Sequence, residues 1–194
     1  MSKGSNAEKA LRQLADGNGR YVSSKLTHPH QGAERRLEVS KGQAPFAVIV
    51  GCSDSRIPPE IVFDQGLGDL FVIRVAGNVL DDLGMGSIEY AVEHLGVSLV
   101  LVLGHGKCGA VGATVQGGEA HGHIAHIVKA IEPALDKARG LEGDLTDNTI
   151  RANVGLVVEQ IRSSRPILAK KADEGNLKVA GAYYDIASGV VEYI

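Results

Sequence analysis

The chain reads as an α/β fold: a mostly parallel four-stranded sheet flanked by helices, with a C-terminal antiparallel edge strand and an N-terminal helical arm. Three observations predict it. Four apolar runs, each short enough for a strand, are separated by segments of helical period, the alternation that builds a parallel sheet. The runs are continuous rather than alternating, as strands covered on both faces require. Last, Asp185-Ile186-Ala187-Ser188-Gly189 forms a turn signal leading into residues 190–194, a short β-rich stretch suited to a sheet edge.

Taken in order, Ala7, Ala10, Leu11, Leu14, Asn18, Tyr21 and Val22 recur at three- and four-residue spacing and predict an amphipathic helix with a thin, alanine-rich stripe. Thr27-His28-Pro29-His30 breaks that period, and residues 31–41 are polar enough to support only a weakly packed helix. Residues 1–42 are therefore expected to be an arm laid on a second subunit, and 43–194 the α/β core of a single domain spanning 1–194. The four strands are expected over 46–50, 70–75, 97–103 and 177–184. Helices are expected over 83–95, with Ile88, Ala91, Val92 and Leu95 on one face, and over 110–116, 124–138 and 149–162. Pro133 lies inside the third of these and Pro166 beyond the last.

The 194 residues are 44% hydrophobic and 22% charged, enough for one ordinary core. The net charge is −3 and no basic run exceeds two residues, which argues against nucleic acid as a partner. Residues 1–9 lack the apolar core of a leader, and no apolar run is long enough to span a membrane, so a cytoplasmic location is expected. A reducing compartment would keep the two cysteines as thiols rather than as a disulfide.

The chemistry concentrates where two strands end. Cys52-Ser53-Asp54-Ser55-Arg56 follows the first run, and Gly104-His105-Gly106-Lys107-Cys108-Gly109 closes the third. In open α/β sheets ligands sit at the carboxyl ends of strands, so the clusters meet if those strands are neighbours. Cys52, His105 and Cys108 then form a Cys2His set with one open position, the pattern of a catalytic zinc rather than a closed structural one. Cys108 stands at a predicted helix start, which favours the thiolate. Asp54 either takes the fourth position or accepts a hydrogen bond from bound hydroxide, and Arg56 can clamp its carboxylate off the metal. The second cluster also matches G-x-G-x-x-G, but a dinucleotide site needs an acidic residue on a following strand, where this chain has helical period.

With Phe71-Val72-Ile73-Arg74-Val75-Ala76-Gly77-Asn78 and Ser87-Ile88-Glu89-Tyr90-Ala91-Val92 between them, the two clusters make the sequence resemble the β-class carbonic anhydrases, from about Gly17 to the end. The resemblance implies one Zn2+ per chain on Cys52, His105 and Cys108, with Asp54 and Arg56 as the catalytic pair and Asp54 a conditional fourth ligand. It implies reversible hydration of carbon dioxide to bicarbonate and a proton through zinc-bound hydroxide. Gln43 matches the family's active-site glutamine, and Phe71, Ala76, Tyr90 and Gly109 match pocket positions, some contributed by the neighbouring subunit of a homodimer or dimer of dimers.

Three departures stand out. Gly106 replaces a common small hydroxyl residue, Val75 replaces a frequent asparagine, and the chain has no tryptophan for the inhibitory bicarbonate site of some members. The alternatives are hydrolysis of a related molecule such as carbon disulfide, or a non-catalytic zinc protein with Asp54 as permanent ligand. His121, His123 and His126 read as exposed histidines at a helix start, and His28, His30 and His94 as proton-shuttle candidates that the sequence does not rank.

Overall fold

Strands form where β-branched and leucine residues run unbroken between polar loops, and they assemble into a five-stranded sheet in the order β2-β1-β3-β4-β5. They are β1 (Ala47–Gly51), β2 (Leu70–Arg74), β3 (Leu99–His105), β4 (Lys178–Tyr184) and β5 (Val191–Tyr193). The computed structural model describes residues 5–194. Residues 1–4, the start of the segment read as leaderless and of the 1–42 arm, lie outside the described residues. The first four strands pair in parallel, and β5 pairs antiparallel to β4.

Helices connect the strands: α1 (Asn6–Val22), α2 (Ala33–Val39), α3 (Pro59–Val62), α4 (Asp82–His94), α5 (Gly109–Gln116), α6 (Ile124–Ala138), α7 (Leu145–Ser163) and α8 (Leu168–Asp173). A 3-10 turn, Ala76–Asn78, follows β2. One sheet face carries Ile49, Leu99, Leu101 and Leu103 against α1, α3, α5 and α6. The other carries Val48, Val50, Val100 and Val102 against α4, α7 and α8. α7 starts earlier than its apolar period because Asp144 caps it, accepting a hydrogen bond from the Asp147 N–H at 2.8 Å. α6 runs through Pro133 as one element. The short helices α3 and α8 have no counterpart among the expected elements, since four and six residues hold too little period to detect.

Two features add to these expectations. The N-terminal helix lies on this chain's own body: Leu14 is fully buried, and the Asn18 side chain donates to the carbonyls of Val62 (3.1 Å) and Gly189 (2.8 Å) and accepts from the Val191 N–H (3.0 Å). Two polar anchors make up for its thin stripe, Asn18 and the Arg20–Asp64 ion pair at 2.6 Å. α2 buries none of its residues. Second, β1 and β3 are buried at every position, as expected of strands covered on both faces, but β2 is only partly buried throughout. It is an edge strand, paired on one side alone among the described residues.

Candidate metal centre

The order β2-β1-β3 makes β1 and β3 neighbours, with Gly51 opposite Leu103 in register. Cys52, one residue past β1, is thereby brought to His105, the last residue of β3, and to Cys108, which caps α5. Their sulfur and ring-nitrogen donor atoms all lie within 4.8 Å of one another, the one such group among the described residues, and all three residues are buried.

Each donor is oriented from behind. The Nδ1–H of His105 donates to the Gly106 carbonyl at 2.9 Å, which leaves Nε2 with its lone pair, buried and without a partner. A buried unpaired nitrogen aimed at two sulfurs is costly unless a cation takes it. Cys52 Sγ accepts from the Gly77 N–H at 3.2 Å. Gly77 sits at φ 71°, and an added Cβ would come within 2.8 Å of Ile131, so both its conformation and its space call for glycine. Its carbonyl, in the following peptide, accepts from Asn153 of α7 at 2.8 Å, which anchors the residue whose N–H reaches the sulfur.

The two thiols are hydrogen-bonded to each other. A hydrogen bond from Cys108 pulls the Cys52 thiol well down, and the same bond, with burial, pushes Cys108 up. Both sulfurs become thiolates together only if a cation lies between them. The donor set therefore fits a soft divalent ion in three-fold protein ligation.

Asp54 and Arg56 pair as the spacing allows. Arg56 Nε donates to Asp54 Oδ1 at 2.9 Å, Nη2 donates to Oδ2 at 2.7 Å, and the Arg56 backbone N–H adds a third bond at 2.9 Å. Arg56 Nη2 also reaches the Lys107 carbonyl at 3.2 Å, tying the first loop to the second. These bonds hold the Asp54 carboxyl well below the usual carboxylate range, so it is ionised at neutral pH. It faces the guanidinium and is not among the gathered donors.

The residues matched as pocket positions divide. Ala76 opens the turn that delivers Gly77, and Gly109 adjoins Cys108, where an added Cβ would meet nothing within 4 Å. Gln43 is exposed in the loop before β1. Phe71 packs with the cluster on the opposite sheet face, its ring centroid 6.4 Å from that of Tyr90, which in turn lies 5.2 Å from His94. This aromatic group does not meet the chain's own metal donors. His123 and His126 stack at 6.1 Å without joining a ligand group.

Sequence reasoning gives no role to Arg74, which donates to the carbonyls of Cys52 (2.8 Å) and Asp54 (2.6 Å) and pins the first loop. An arginine ending a buried apolar run is its signal. Nothing local to Asn153 marks it.

The family model described as carbonic anhydrase matches residues 47–191, a span that holds all three donors and both members of the clamp. The chain belongs to the β-class carbonic anhydrases. Within that family it is 41% identical over 192 residues to the carbonic anhydrase of Mycolicibacterium smegmatis, covering 97% of this chain and 93% of that one. Among solved structures, the Coccomyxa β-carbonic anhydrase in complex with acetazolamide superposes with a TM-score of 0.74 at 29% identity, covering 100% of this chain and 87% of that one. A tetrameric β-carbonic anhydrase from Sordaria macrospora shares the fold with a TM-score of 0.77 at 24% identity, over 96% and 97% of the two chains.

Proposed function

We propose that this β-class carbonic anhydrase catalyses the reversible hydration of carbon dioxide to bicarbonate and a proton, with zinc held by Cys52, His105 and Cys108. The observation that carries the reading is the unpartnered, buried Nε2 of His105 facing two sulfurs within 4.8 Å. Zinc bound there supplies a Lewis acid that acidifies water enough to act as a nucleophile near neutral pH. The protein's own part is to place that oxygen. Asp54, ionised and fixed by Arg56, accepts a hydrogen bond from the attacking oxygen and holds its lone pair toward the carbon. Because the clamp engages both carboxylate oxygens, Asp54 is kept off the metal, which speaks against the reading in which it is a permanent fourth ligand.

Gln43, Ala76 and Gly109 would line the substrate side from this protomer, and Phe71 and Tyr90 from a neighbouring one. The partly buried β2 edge and the exposed Leu83 and Tyr90 beside it support a homodimer, and a pair of dimers is compatible with it. Residues 1–194 would then act as one domain, with α2 and its flanks as the part of the N-terminal arm free to reach the partner. Among the described residues no helix is long and apolar enough to cross a membrane, and both cysteines are free thiols, which supports a reducing, cytoplasmic setting.

The test is metal analysis beside stopped-flow carbon dioxide hydration and sulfide release from carbon disulfide. One zinc per chain with hydration activity is expected. Zinc without hydration at any pH up to about 9 would overturn the catalytic reading, and sulfide release alone would reassign the substrate.

A further inference from the structure

The loop that carries two of the three metal donors turns at Gly106, and its surroundings explain a glycine there without any appeal to backbone freedom. Gly106 is not in the left-handed region. What excludes a side chain is Tyr183 of β4: a Cβ on residue 106 would lie 2.7 Å from the Tyr183 hydroxyl oxygen, but 3.5 Å from the ring carbon that bears it. The conflict is therefore with one atom. That hydroxyl is fixed, since it donates to the Asp147 carboxylate of α7. Arg151 stacks over the same ring at 4.2 Å, bonds Asp147 at 3.3 Å and is itself held by Glu192 of β5 at 2.7 Å. Burial, reinforced by Asp147, pushes the phenol above its ordinary range, so it stays protonated and remains a donor.

Gly106 is also the residue that orients His105. Its carbonyl receives the His105 Nδ1–H, and its own N–H donates to the Tyr184 carbonyl at 3.0 Å. Gly106 is thus anchored to the β4 backbone through its N–H, the next peptide supplies the carbonyl that selects the imidazole tautomer, and the Tyr183 hydroxyl closes the space beside its Cα.

We propose that Gly106 and Tyr183 are a matched pair that positions the His105 imidazole for metal binding, with Asp147 holding the tyrosine hydroxyl in place. Tyr183 acts through Gly106 and touches no metal donor, so it is a positioning residue. Both residues border a cavity of about 490 Å³ that is also lined by Lys107, Asp144, Asp147, Ile150 and Ile186 among others. Arg151 covers one face of the ring, and the bond to Asp147 keeps the hydroxyl from swinging toward the cavity. A side chain at 106 can be accommodated by that swing only at the loss of the Asp147 bond.

The inference rests on the zinc reading above, and its test separates the two. Zinc affinity is measured by chelator competition for the parent, Gly106→Ala, Tyr183→Phe and the double variant, alongside the His105 Nδ1–H resonance of the metal-free proteins. Gly106→Ala is expected to weaken zinc binding about 10-fold or more, the range for groups that orient a ligand. Tyr183→Phe, which frees Asp147 but leaves the ring, is expected to weaken it about threefold, on the lower side of that range because it acts one contact further out. In the Tyr183→Phe background the alanine meets a carbon at 3.5 Å, so its cost should fall well below its cost in the parent.

Equal cost in both backgrounds overturns the pairing. So does a fall in melting temperature with zinc affinity unchanged, which would make the contact merely structural. If Gly106→Ala does not fold, Tyr183→Phe decides alone: unchanged affinity together with an unchanged Nδ1–H resonance overturns the proposal, and a loss in both sustains it. A parent that takes up no zinc, with its Nδ1–H resonance intact, would refute the metal reading and leave the positioning of the imidazole standing.

Discussion

The two edges of β1's neighbourhood differ in kind. Toward β3, every strand residue is buried, the donors converge, and each polar group that shapes them finds its partner within the chain. Toward β2, every strand residue is partly exposed, and Phe71, Tyr90 and His94 line up beside a leucine, Leu83, that is 81% exposed. The first region is complete in one protomer. The second carries Phe71 and Tyr90, proposed above as pocket residues, but places them away from the chain's own metal donors. Metal binding should therefore be a property of the single chain, and a finished substrate pocket a property of the assembly.

That contrast can be broken most sharply at Cys52. Cys52→Ser should weaken zinc binding by at least about 100-fold, read by chelator competition, because a hydroxyl does not replace a thiolate as ligand. Next comes the clamp. Arg56→Ala should keep its zinc and lose about 100-fold in turnover, since Asp54 is then free to move onto the metal; a variant as active as the parent would remove the clamp from the mechanism.

A smaller effect is expected at Asp64, which ties α1 to the complete side. Burial would raise its carboxyl, but N–H groups of Thr27 and His28, with Arg20 and the Thr27 hydroxyl, outweigh it and hold it well below the usual range. A depressed folded-state pKa adds stability above the unfolded value near 3.9, and that stability is lost as pH falls through the folded one. Asp64→Asn should thus cost about 2 kcal/mol at pH 7 in urea unfolding, with the gap from the parent narrowing below about pH 4.

The smallest effect tests the incomplete side. Tyr90→Ala should leave zinc content unchanged and weaken self-association about tenfold in sedimentation, the cost of one buried aromatic contact. Loss of zinc in that variant would mean that the two regions are not separable.

The donors are legible in the sequence because each stands where a continuous apolar run stops, and a parallel sheet brings such ends together. The Asp54–Arg56 pair is legible because two residues of spacing at a strand end suffice for the contact. What stabilises them is not. Asn153 meets Gly77, and Tyr183 meets Gly106, through tertiary packing that leaves no periodic trace. The docking of α1 on its own chain is hidden for a related reason. Its stripe is thin, but Asn18 replaces missing apolar area with three backbone hydrogen bonds, and a lone asparagine on a helix face carries no signal of that. The exposure of β2 is hidden because an apolar edge strand has the same composition as a central one.

The bond from Asn153 to the Gly77 carbonyl also bears on the order of events during synthesis. It fixes the residue whose N–H is presented to Cys52, yet its two ends are separated by 76 positions, and α7 must dock before it can form. Contacts of such long sequence separation close late in folding. A nascent chain that has exposed Cys52, His105 and Cys108 but not yet α7 would carry the ligands without the finished site. Stable metal capture should accordingly be among the last steps by which the protein matures.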